Sequence, residues 1–260
     1  MANKETVKGT LIVALVLCIV CSVVVSTAAV MLKPMQQANA ALDLKRNVLL
    51  AGGLIDPDQA GKAAVEEAFA NVTKKYVDLR TGKFTDEKPA GGSGRAAAKV
   101  PSASEKLTPE QDIAKIIRRE NIKEVFVVEK NGELEKIILP IRGYGLWGQL
   151  YGFLALQSDL NTVAGLGFYE HKETPGLGGE VDNPNWKAIW EGKEVYDQDG
   201  DVALSVIKGS VDKDTPNAQY KVDGLSGATL TSKGVDNLVE FWLGREGYGP
   251  FLNNLKAGEA

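Results

Sequence analysis

The chain begins with a long run of residues that carries no charge. From Gly9 to Leu32, between Lys8 and Lys33, there is no Asp, Glu, Lys or Arg. As an α-helix rising about 1.5 Å per residue, this run would be roughly 36 Å long, enough to cross a hydrocarbon core of about 30 Å. No later segment has an uncharged apolar run of comparable length. The sequence therefore predicts one membrane-spanning helix followed by a domain on one side of the bilayer.

A cleaved secretory signal is the alternative interpretation of this run. Lys4 and Lys8 form a basic start, and Ser26-Thr27-Ala28 resembles a small-residue cleavage site. The run is longer than the roughly 7–15 apolar residues of a signal core, which favours an uncleaved anchor. The basic residues before the span favour a cytoplasmic N-terminus, so either interpretation exports the rest of the chain.

The only two cysteines, Cys18 and Cys21, lie three residues apart within the apolar run. Residues one turn apart on a helix rarely meet disulfide geometry, so we expect thiols that face lipid or a neighbouring helix. The sequence shows no nucleophile elbow, no cluster of histidines and thiols and no acidic pair at a catalytic spacing. It therefore predicts neither a catalytic residue nor a metal site on this chain.

Composition and periodicity divide the chain into four segments. Residues 1–34 are the N-terminal stub and membrane span, and residues 35–82 are predicted to form a helical stalk and the start of the exported domain. Residues 83–106, rich in Gly, Ala, Ser and Pro, predict a flexible loop, and residues 107–260 form the main domain. Thr108-Pro109-Glu110-Gln111 predicts a capped short helix at its start. The formal charge of −4, without a basic patch, gives no reason to expect nucleic acid.

Short apolar runs separated by turn signals predict an antiparallel sheet in the main domain. Tight hairpin spacings favour antiparallel pairs, and the predicted strands do not alternate with helices as they would in a Rossmann-like sheet. The predicted fold class is α+β, with a single N-terminal transmembrane helix followed by a twisted antiparallel sheet and flanking helices. The predicted strands are residues 125–128, 134–139, 150–157, 162–170 and 202–207.

Three large side chains in this half are interpreted as structural. Asn183-Pro184 predicts the start of a short helix in which Trp186 and Trp190, four residues apart, share one face and enter the core. His171 is the only histidine. Because no acid or nucleophile is fixed beside it in the sequence, we expect a structural or surface role.

A loop of small and hydroxyl residues precedes a predicted amphipathic helix near the C-terminus. The loop is Asp223-Gly224-Leu225-Ser226-Gly227-Ala228-Thr229, and apolar residues recur at helical spacing from Val235 to Leu243. Thr231 or Ser232 is a plausible N-cap and Gly244 a plausible stop. Free N–H groups and the helix dipole favour a phosphate at such an N-terminus. The pattern predicts an anion site, with an ordinary capping loop as the alternative.

The same loop resembles the flavinylation motif of membrane-bound electron-transfer subunits. The resemblance rests on Ser-Gly-Ala-Thr at residues 226–229 with an Asp three residues earlier. It implies FMN bound covalently to Thr229, through a phosphoester from the threonine oxygen to the FMN phosphate, made by a separate flavin transferase that uses FAD. It also implies that the residues around the attachment point contact the cofactor, namely Asp223, Leu225, Ser226, Gly227 and Ala228.

About residues 140–252 resemble the C subunits of the sodium-translocating NADH:quinone reductases. The resemblance implies a membrane-anchored flavoprotein that relays electrons through FMN within a Na⁺-pumping NADH:ubiquinone oxidoreductase, without a complete active site of its own. It implies partners, namely the other membrane and peripheral subunits, the flavin transferase during maturation and the lipid bilayer. It places the chain in the bacterial inner membrane, single-pass, with the C-terminal domain in the periplasm. The matching stretches are residues 143–148, 151–159, 161–163, 168–180 and 241–243.

Two further segments are candidates for contact with the flavin ring. The aromatic and apolar loop at residues 144–147 can supply a surface for the ring, and the turn at residues 173–178 can present exposed N–H groups. The alternatives are a packed loop and a tight structural turn. The residues implicated are Tyr144, Leu146, Trp147, Glu173, Thr174, Pro175, Gly176, Leu177 and Gly178.

Two other functions remain open at this point. The G subunit of Rnf-type ion-motive complexes shares the Thr-Pro-Gly-Leu-Gly and Ser-Gly-Ala-Thr elements, but it lacks the surroundings found here at residues 182–184 and 248–250. The second is a non-redox, membrane-anchored assembly module in which the loop only caps a helix. That module would be colourless.

Overall fold

The computed structural model describes residues 6–92 and 94–260 and divides into two compact units. The first unit ends at Leu44, and the second runs from Lys45 to Ala260. The first unit is formed by helix α1, Val7–Ala51, whose last residues belong to the second. Lys4 of the basic start lies outside the described residues. The second unit contains every strand of the described chain.

Helix α1 is apolar and its side chains in the predicted span are almost all exposed. It is long and apolar enough to cross a membrane, and it is the one such helix within the described residues. Large side chains exposed on all sides, from Leu11 to Met35, would be unfavourable in water. The predicted N-terminal helix is thus present, and its length and apolar composition fit a membrane span.

The predicted helical stalk is correct only in part. After α1 the chain forms a single 3-10 turn, Pro57–Gln59, and a short helix α2, Lys62–Phe69. It then enters strand β1, Val72–Asp78, which pairs antiparallel with a central strand of the sheet. Residues 72–78 therefore form a strand and do not continue the predicted helical stalk. A short run with few apolar positions cannot distinguish the periodicity of a helix from that of a strand. Val72 and Val77 are buried through pairing that only the fold supplies.

One antiparallel sheet of six strands forms the core of the second unit, in the order β2-β1-β5-β6-β7-β8. Consecutive strands β5 to β8 are joined by tight connections, as the hairpin spacings predicted. A separate two-stranded pair, β3 with β4, lies outside this sheet. The strands are β2 Lys83–Thr85, β3 Ser104–Lys106, β4 Arg118–Glu120, β5 Ile122–Lys130, β6 Glu133–Tyr144, β7 Gln149–Gln157 and β8 Val163–Glu170.

The segment predicted to be a flexible loop, residues 83–106, contains four short elements in its described residues, one of them the 3-10 turn Pro101–Ala103. It begins with β2, includes helix α3, Arg95–Ala98, and ends with β3. The Arg95 guanidinium ion-pairs with Glu170, and its central carbon lies 3.7 Å from the centre of the Tyr151 ring. The Gly-, Ala-, Ser- and Pro-rich composition that predicted a flexible loop gives no sign of these short elements or long-range contacts.

The predicted helix after Thr108 does not form, although its capping hydrogen bonds do. The Thr108 N–H donates to Gln111 Oε1 at 3.0 Å, and the Gln111 N–H donates to Thr108 Oγ1 at 3.4 Å. The Asp112 carboxylate then accepts the N–H groups of Ile116 and Ile117 at 2.7 and 2.8 Å. This side chain offers the backbone an alternative to helical hydrogen bonds, so the chain turns instead.

The C-terminal helices pack on the sheet and carry much of the core. Trp186 and Trp190 lie edge to face, with ring centres 5.4 Å apart, and both are buried as predicted. The helix predicted to carry both ends at Ala188, so Trp190 follows it in a turn. The strand predicted at residues 202–207 is reduced to two residues that pair in parallel with a later segment. The remaining elements are α4 Pro184–Ala188, β9 Ser205–Val206, β10 Lys221–Val222, α5 Thr229–Leu243 and α6 Gly249–Ala257. The α+β prediction is confirmed.

A buried group of three charges lies between the sheet and α5. The fully buried Glu120 carboxylate accepts hydrogen bonds from Lys123 Nζ and, at 2.8 Å, from Arg142 Nη2. Lys123 Nζ also lies 4.1 Å from the centre of the Trp242 ring, and Trp242 Nε1 donates to the Arg142 carbonyl at 2.7 Å. This charge cluster fixes α5 against the end of β6.

Candidate functional site

Thr229 is the first residue of α5 and is exposed to solvent. The preceding Ala228 occupies the N-cap position and offers no side-chain hydrogen bond. The first N–H groups of a helix have no partner within it, so those of Thr229, Leu230 and Thr231 point beyond the helix end. The prediction that Thr231 or Ser232 caps the helix was wrong, because α5 begins earlier and both residues are buried in its first turn. An uncapped helix N-terminus next to an exposed hydroxyl can receive an anion.

Ser232 holds the loop before Thr229 in its tight shape. Its Oγ accepts the Leu225 N–H at 2.9 Å and donates to the Ala228 carbonyl at 3.2 Å. Gly227 adopts a positive φ of 71°, a conformation that favours glycine. These contacts leave Ser226 and Gly227 exposed at the loop tip, while Leu225 and Ala228 are buried.

Asp223 supports the loop from its other side. Its Oδ1 accepts the Val211 N–H at 2.8 Å, and its carbonyl accepts Trp186 Nε1 at 2.8 Å. The half-buried Asp223 is thereby tied to two other segments, and its position in the motif has a structural explanation. Trp186, interpreted from the sequence as a core residue only, also positions this loop.

Glu173 joins the three segments that were selected from the sequence. Its side chain is buried, and Oε1 accepts the N–H groups of Leu146 and Trp147, each at 3.0 Å. Oε2 accepts the hydroxyl of Thr231 at 2.6 Å. One carboxylate therefore connects the aromatic loop, the turn at residues 173–178 and the first turn of α5. Its oxygens are directed to these donors, so its role here is connection.

Two glycines make room for this carboxylate. A Cβ on Gly145 would lie 2.6 Å from Glu173 Oε1, and a Cβ on Gly178 would lie 2.6 Å from Oε2 and 2.5 Å from Thr231 Oγ1. Such distances are too short for any side chain without a shift of the carboxylate. The glycine-rich character of both segments thus follows from close approach to Glu173.

Replacing Gly178 by Ala is expected to destabilise the protein by about 3 kcal/mol, because the added methyl displaces the bonded pair Glu173–Thr231. Gly176 has a positive φ of 75° with open space around it, so Gly176→Ala is expected to cost about 1 kcal/mol of conformational strain alone. Denaturant unfolding of the detergent-purified protein, followed by tryptophan fluorescence, compares the two. A loss for Gly178→Ala no larger than for Gly176→Ala would contradict this assignment.

The turn uses some of the donors that were expected to face a ligand. The N–H groups of Leu177 and Gly179 donate to the Thr174 carbonyl at 3.1 and 2.9 Å. They close the turn and are not free for a flavin ring. Thr174, Pro175, Gly176 and Leu177 are nevertheless accessible to solvent to differing extents, while Gly178 is buried.

An exposed apolar patch adjoins the attachment helix. Trp147 and Leu230 are each 63% exposed, which is unusual for such large apolar side chains. A Cβ at Gly227 would lie 3.1 Å from Leu177 Cδ2, so the turn touches the loop before Thr229. Five exposed apolar residues, referred to as the apolar patch, lie on the segments that Glu173 and the Leu177–Gly227 contact bring together: Tyr144, Leu146, Trp147, Leu177 and Leu230. The patch offers an apolar face to a planar ring, although it is an open surface and not a closed slot.

Two lysines that were not predicted from the sequence flank Thr229. Lys208, Lys233 and Thr229 line one cleft of about 160 Å³. Lys233 Nζ pairs with Asp236 at 2.8 Å, and this hydrogen-bonded carboxylate raises the pKa of Lys233. A lysine four residues after Thr229 on the same helix face was the signal available in the sequence. The cations add to the preference for an anion at this helix end.

His171 has an acidic neighbour that the sequence did not reveal. Its Nε2 lies 2.7 Å from Asp182 Oδ2, while its Nδ1 accepts the Glu173 N–H at 3.2 Å. Since Nδ1 accepts a hydrogen bond, the ring proton is on Nε2, which donates a hydrogen bond to Asp182. The histidine thus orients the backbone at Glu173, which agrees with a structural role.

This chain is similar to known proteins in both sequence and structure. The family model of the FMN-binding domain matches residues 145–244, which contain the turn, the loop and Thr229. The C subunit of the Na⁺-translocating NADH-quinone reductase from Pseudomonas aeruginosa is 56% identical over 261 residues, covering 100% of both chains. The NqrC crystal structure from Shewanella oneidensis has a TM-score of 0.73 at 39% identity, over 82% of this chain and 96% of that one. The corresponding C subunit from Parabacteroides distasonis has a TM-score of 0.61 at 28% identity, over 85% and 96%.

Proposed function

This chain belongs to the family of C subunits of the Na⁺-translocating NADH-quinone reductases, and we propose that it carries FMN on Thr229 and relays electrons through it. The attachment is a phosphoester between Thr229 Oγ1 and the FMN phosphate, formed by a flavin transferase from FAD: the threonine oxygen bonds to the phosphorus of the FMN half, the pyrophosphate P–O bond breaks, and AMP leaves as the hydroxyl proton is lost. The observation that carries the proposal is the exposed Thr229 at the uncapped N-terminus of α5. A hydroxyl nucleophile and a ready anion site coincide at one residue.

The residues around Thr229 suit both the phosphate and the ring of FMN. The free N–H groups of the first helical turn and the nearby cations Lys208 and Lys233 favour the phosphate. The apolar patch covers the ring, and the Trp147 backbone in this patch is tied to the turn by its hydrogen bond to Glu173. The flavin, when bound, supplies the chemistry of accepting and passing on electrons, and the protein supplies attachment and environment.

Contact of the turn with the flavin has a spectroscopic test. A bulky residue at exposed Gly176 projects into open space where the ring is proposed to lie. We expect Gly176→Leu to change the visible spectrum or the midpoint potential of the attached flavin without preventing attachment. If a folded, loaded variant keeps both properties, the turn has only a structural role.

The partners follow from the same family. NADH and ubiquinone are proposed to bind other membrane and peripheral subunits of the complex. Residues 143–148 of this chain have the Gly-x-Gly-x-x-Gly spacing, but they connect the antiparallel strands β6 and β7 and do not open a helix, as a dinucleotide-binding run does. The flavin transferase acts during maturation, and α1 contacts lipid.

We propose that the second unit lies in the periplasm, with α1 crossing the inner membrane, because basic residues precede the span. A cysteine introduced at exposed Asp199 should react in intact cells with a maleimide that cannot cross the inner membrane, while Cys18 and Cys21 should not. Labelling only after cell lysis would reverse this orientation.

The experiment that tests the function is expression of the full chain with and without a flavin transferase. We expect the intact mass to rise by that of one FMN less one water, and only with the transferase. We also expect the denatured protein to fluoresce on a gel and the added mass to map to the peptide containing Thr229. A colourless protein of unchanged mass, despite an active transferase, would favour a non-redox assembly module.

A further inference from the structure

We propose that Glu173 is a positioning residue whose buried negative charge opposes reduction of the flavin on Thr229. The proposal rests on the function proposed above and assigns a specific control of its redox potential to one carboxylate. It begins from the three hydrogen bonds that Glu173 accepts, from Leu146, Trp147 and Thr231. The donors belong to segments that carry the apolar patch and the attachment residue.

The carboxylate is shielded from water, so its charge acts over a longer distance than a surface charge does. Glu173 is 5% exposed. Other carboxylates of the same turn region are in contact with solvent, and the Asp182 side chain is 47% exposed. Solvent and salt screen exposed charges strongly and buried ones much less. Of these two negative charges, that of Glu173 is the less screened, so it has the larger electrostatic effect at the flavin site.

Within the described residues, every hydrogen bond to the Glu173 side-chain oxygens comes from a neutral donor. Oε1 accepts two backbone N–H groups, and Oε2 accepts a hydroxyl. The N-terminus of α5, to which Thr231 belongs, further favours a negative charge at this position. The pattern thus stabilises a carboxylate, while leaving its negative charge only partly compensated.

A negative charge held close to a flavin makes the addition of an electron less favourable. Removing the charge should therefore make reduction easier, whereas removing one of its compensating donors should make reduction harder. These two changes have opposite predicted signs. A role limited to holding the segments together predicts instead that both changes loosen the same contact and shift the potential in the same direction.

Two nearly isosteric substitutions separate these roles. Glu173→Gln removes the charge and keeps an oxygen that can accept from Leu146 and Trp147, while its amide can donate to the Thr231 hydroxyl. Thr231→Val keeps the charge and removes the hydroxyl donor. Asp182→Asn is the matched control, since it removes an exposed negative charge from the same region while its amide oxygen still accepts the hydrogen bond from His171 Nε2.

The full chain, loaded by a flavin transferase, is titrated spectroelectrochemically after intact mass has verified the attached FMN. We expect the midpoint potential to shift to more positive values in Glu173→Gln, to more negative values in Thr231→Val, and to stay unchanged in Asp182→Asn. Raising the salt concentration should preserve the Glu173→Gln shift.

An unchanged or more negative midpoint in folded, loaded Glu173→Gln would overturn the proposal, as would equal shifts in Glu173→Gln and Asp182→Asn. If Glu173→Gln does not fold, Thr231→Val decides, and a positive shift or none would overturn the proposal. Wild-type protein without an adduct would overturn both this inference and the proposed function, whereas an adduct with unshifted midpoints would overturn the inference alone.

Discussion

Replacing Thr229 by Ala is expected to abolish covalent flavin completely. The hydroxyl at this position is proposed as the atom that bonds to the FMN phosphate, and alanine has no atom that can replace it. The substitution should have little effect on folding, because Thr229 is exposed in the first turn of α5 and alanine is a favourable helical residue. In-gel fluorescence and intact mass measure the result after expression with the transferase.

Thr231→Val is the matched control for this prediction. Thr231 lies only two positions further along the motif, but it is fully buried and its hydroxyl donates to Glu173. A transferase cannot reach that hydroxyl in the folded chain, so the control should retain the full flavin mass. Flavin retained in Thr229→Ala, or mapped to Thr231, would refute the assignment of the attachment residue.

Replacing Glu120 by Gln is expected to destabilise the protein by about 3 kcal/mol, because it leaves Lys123 and Arg142 buried without a counter-charge. We expect this loss of stability to extend to the site around Thr229, since the hydrogen bond between Trp242 and Arg142 connects the charge cluster to α5. Denaturant unfolding measures the difference. Glu129→Gln is the control, because the Glu129 side chain is 42% exposed and its pair with Lys75 should contribute less than about 1 kcal/mol.

The effect of Glu120 depends on pH in a defined direction. Burial alone would raise its pKa, but the charges and hydrogen bonds of Lys123 and Arg142 lower it from 4.5 to about 2. Its stabilising contribution is therefore present above the unfolded pKa and is lost as the pH falls through the folded pKa. The stability difference between wild type and Glu120→Gln should shrink between about pH 4 and pH 2. A difference that stays constant over this range would contradict the assignment of the charge to Glu120.

The sequence by itself determined the features that depend on local patterns. An uncharged apolar run requires either a bilayer or a partner, and α1 fulfils the expected length. Alternation and turn signals located the central strands β5 to β8, because each pairs with its neighbour in the chain. The small-residue loop before an amphipathic helix identified Thr229 as a candidate attachment residue. This pattern is also local, since the start of the helix, with its dipole, and the hydroxyl lie within a few residues of each other.

Only the tertiary structure decided the features that depend on distant partners. Strand β1 has a weak pattern of its own and is formed by pairing with β5, some fifty residues later. Residues 83–106 gain short elements through contacts such as Arg95 with Tyr151. The burial of Thr231 follows from Glu173, which is 58 positions away in the chain. Local sequence records which conformations a segment favours, whereas long-range hydrogen bonds and burial select among them once the chain has folded.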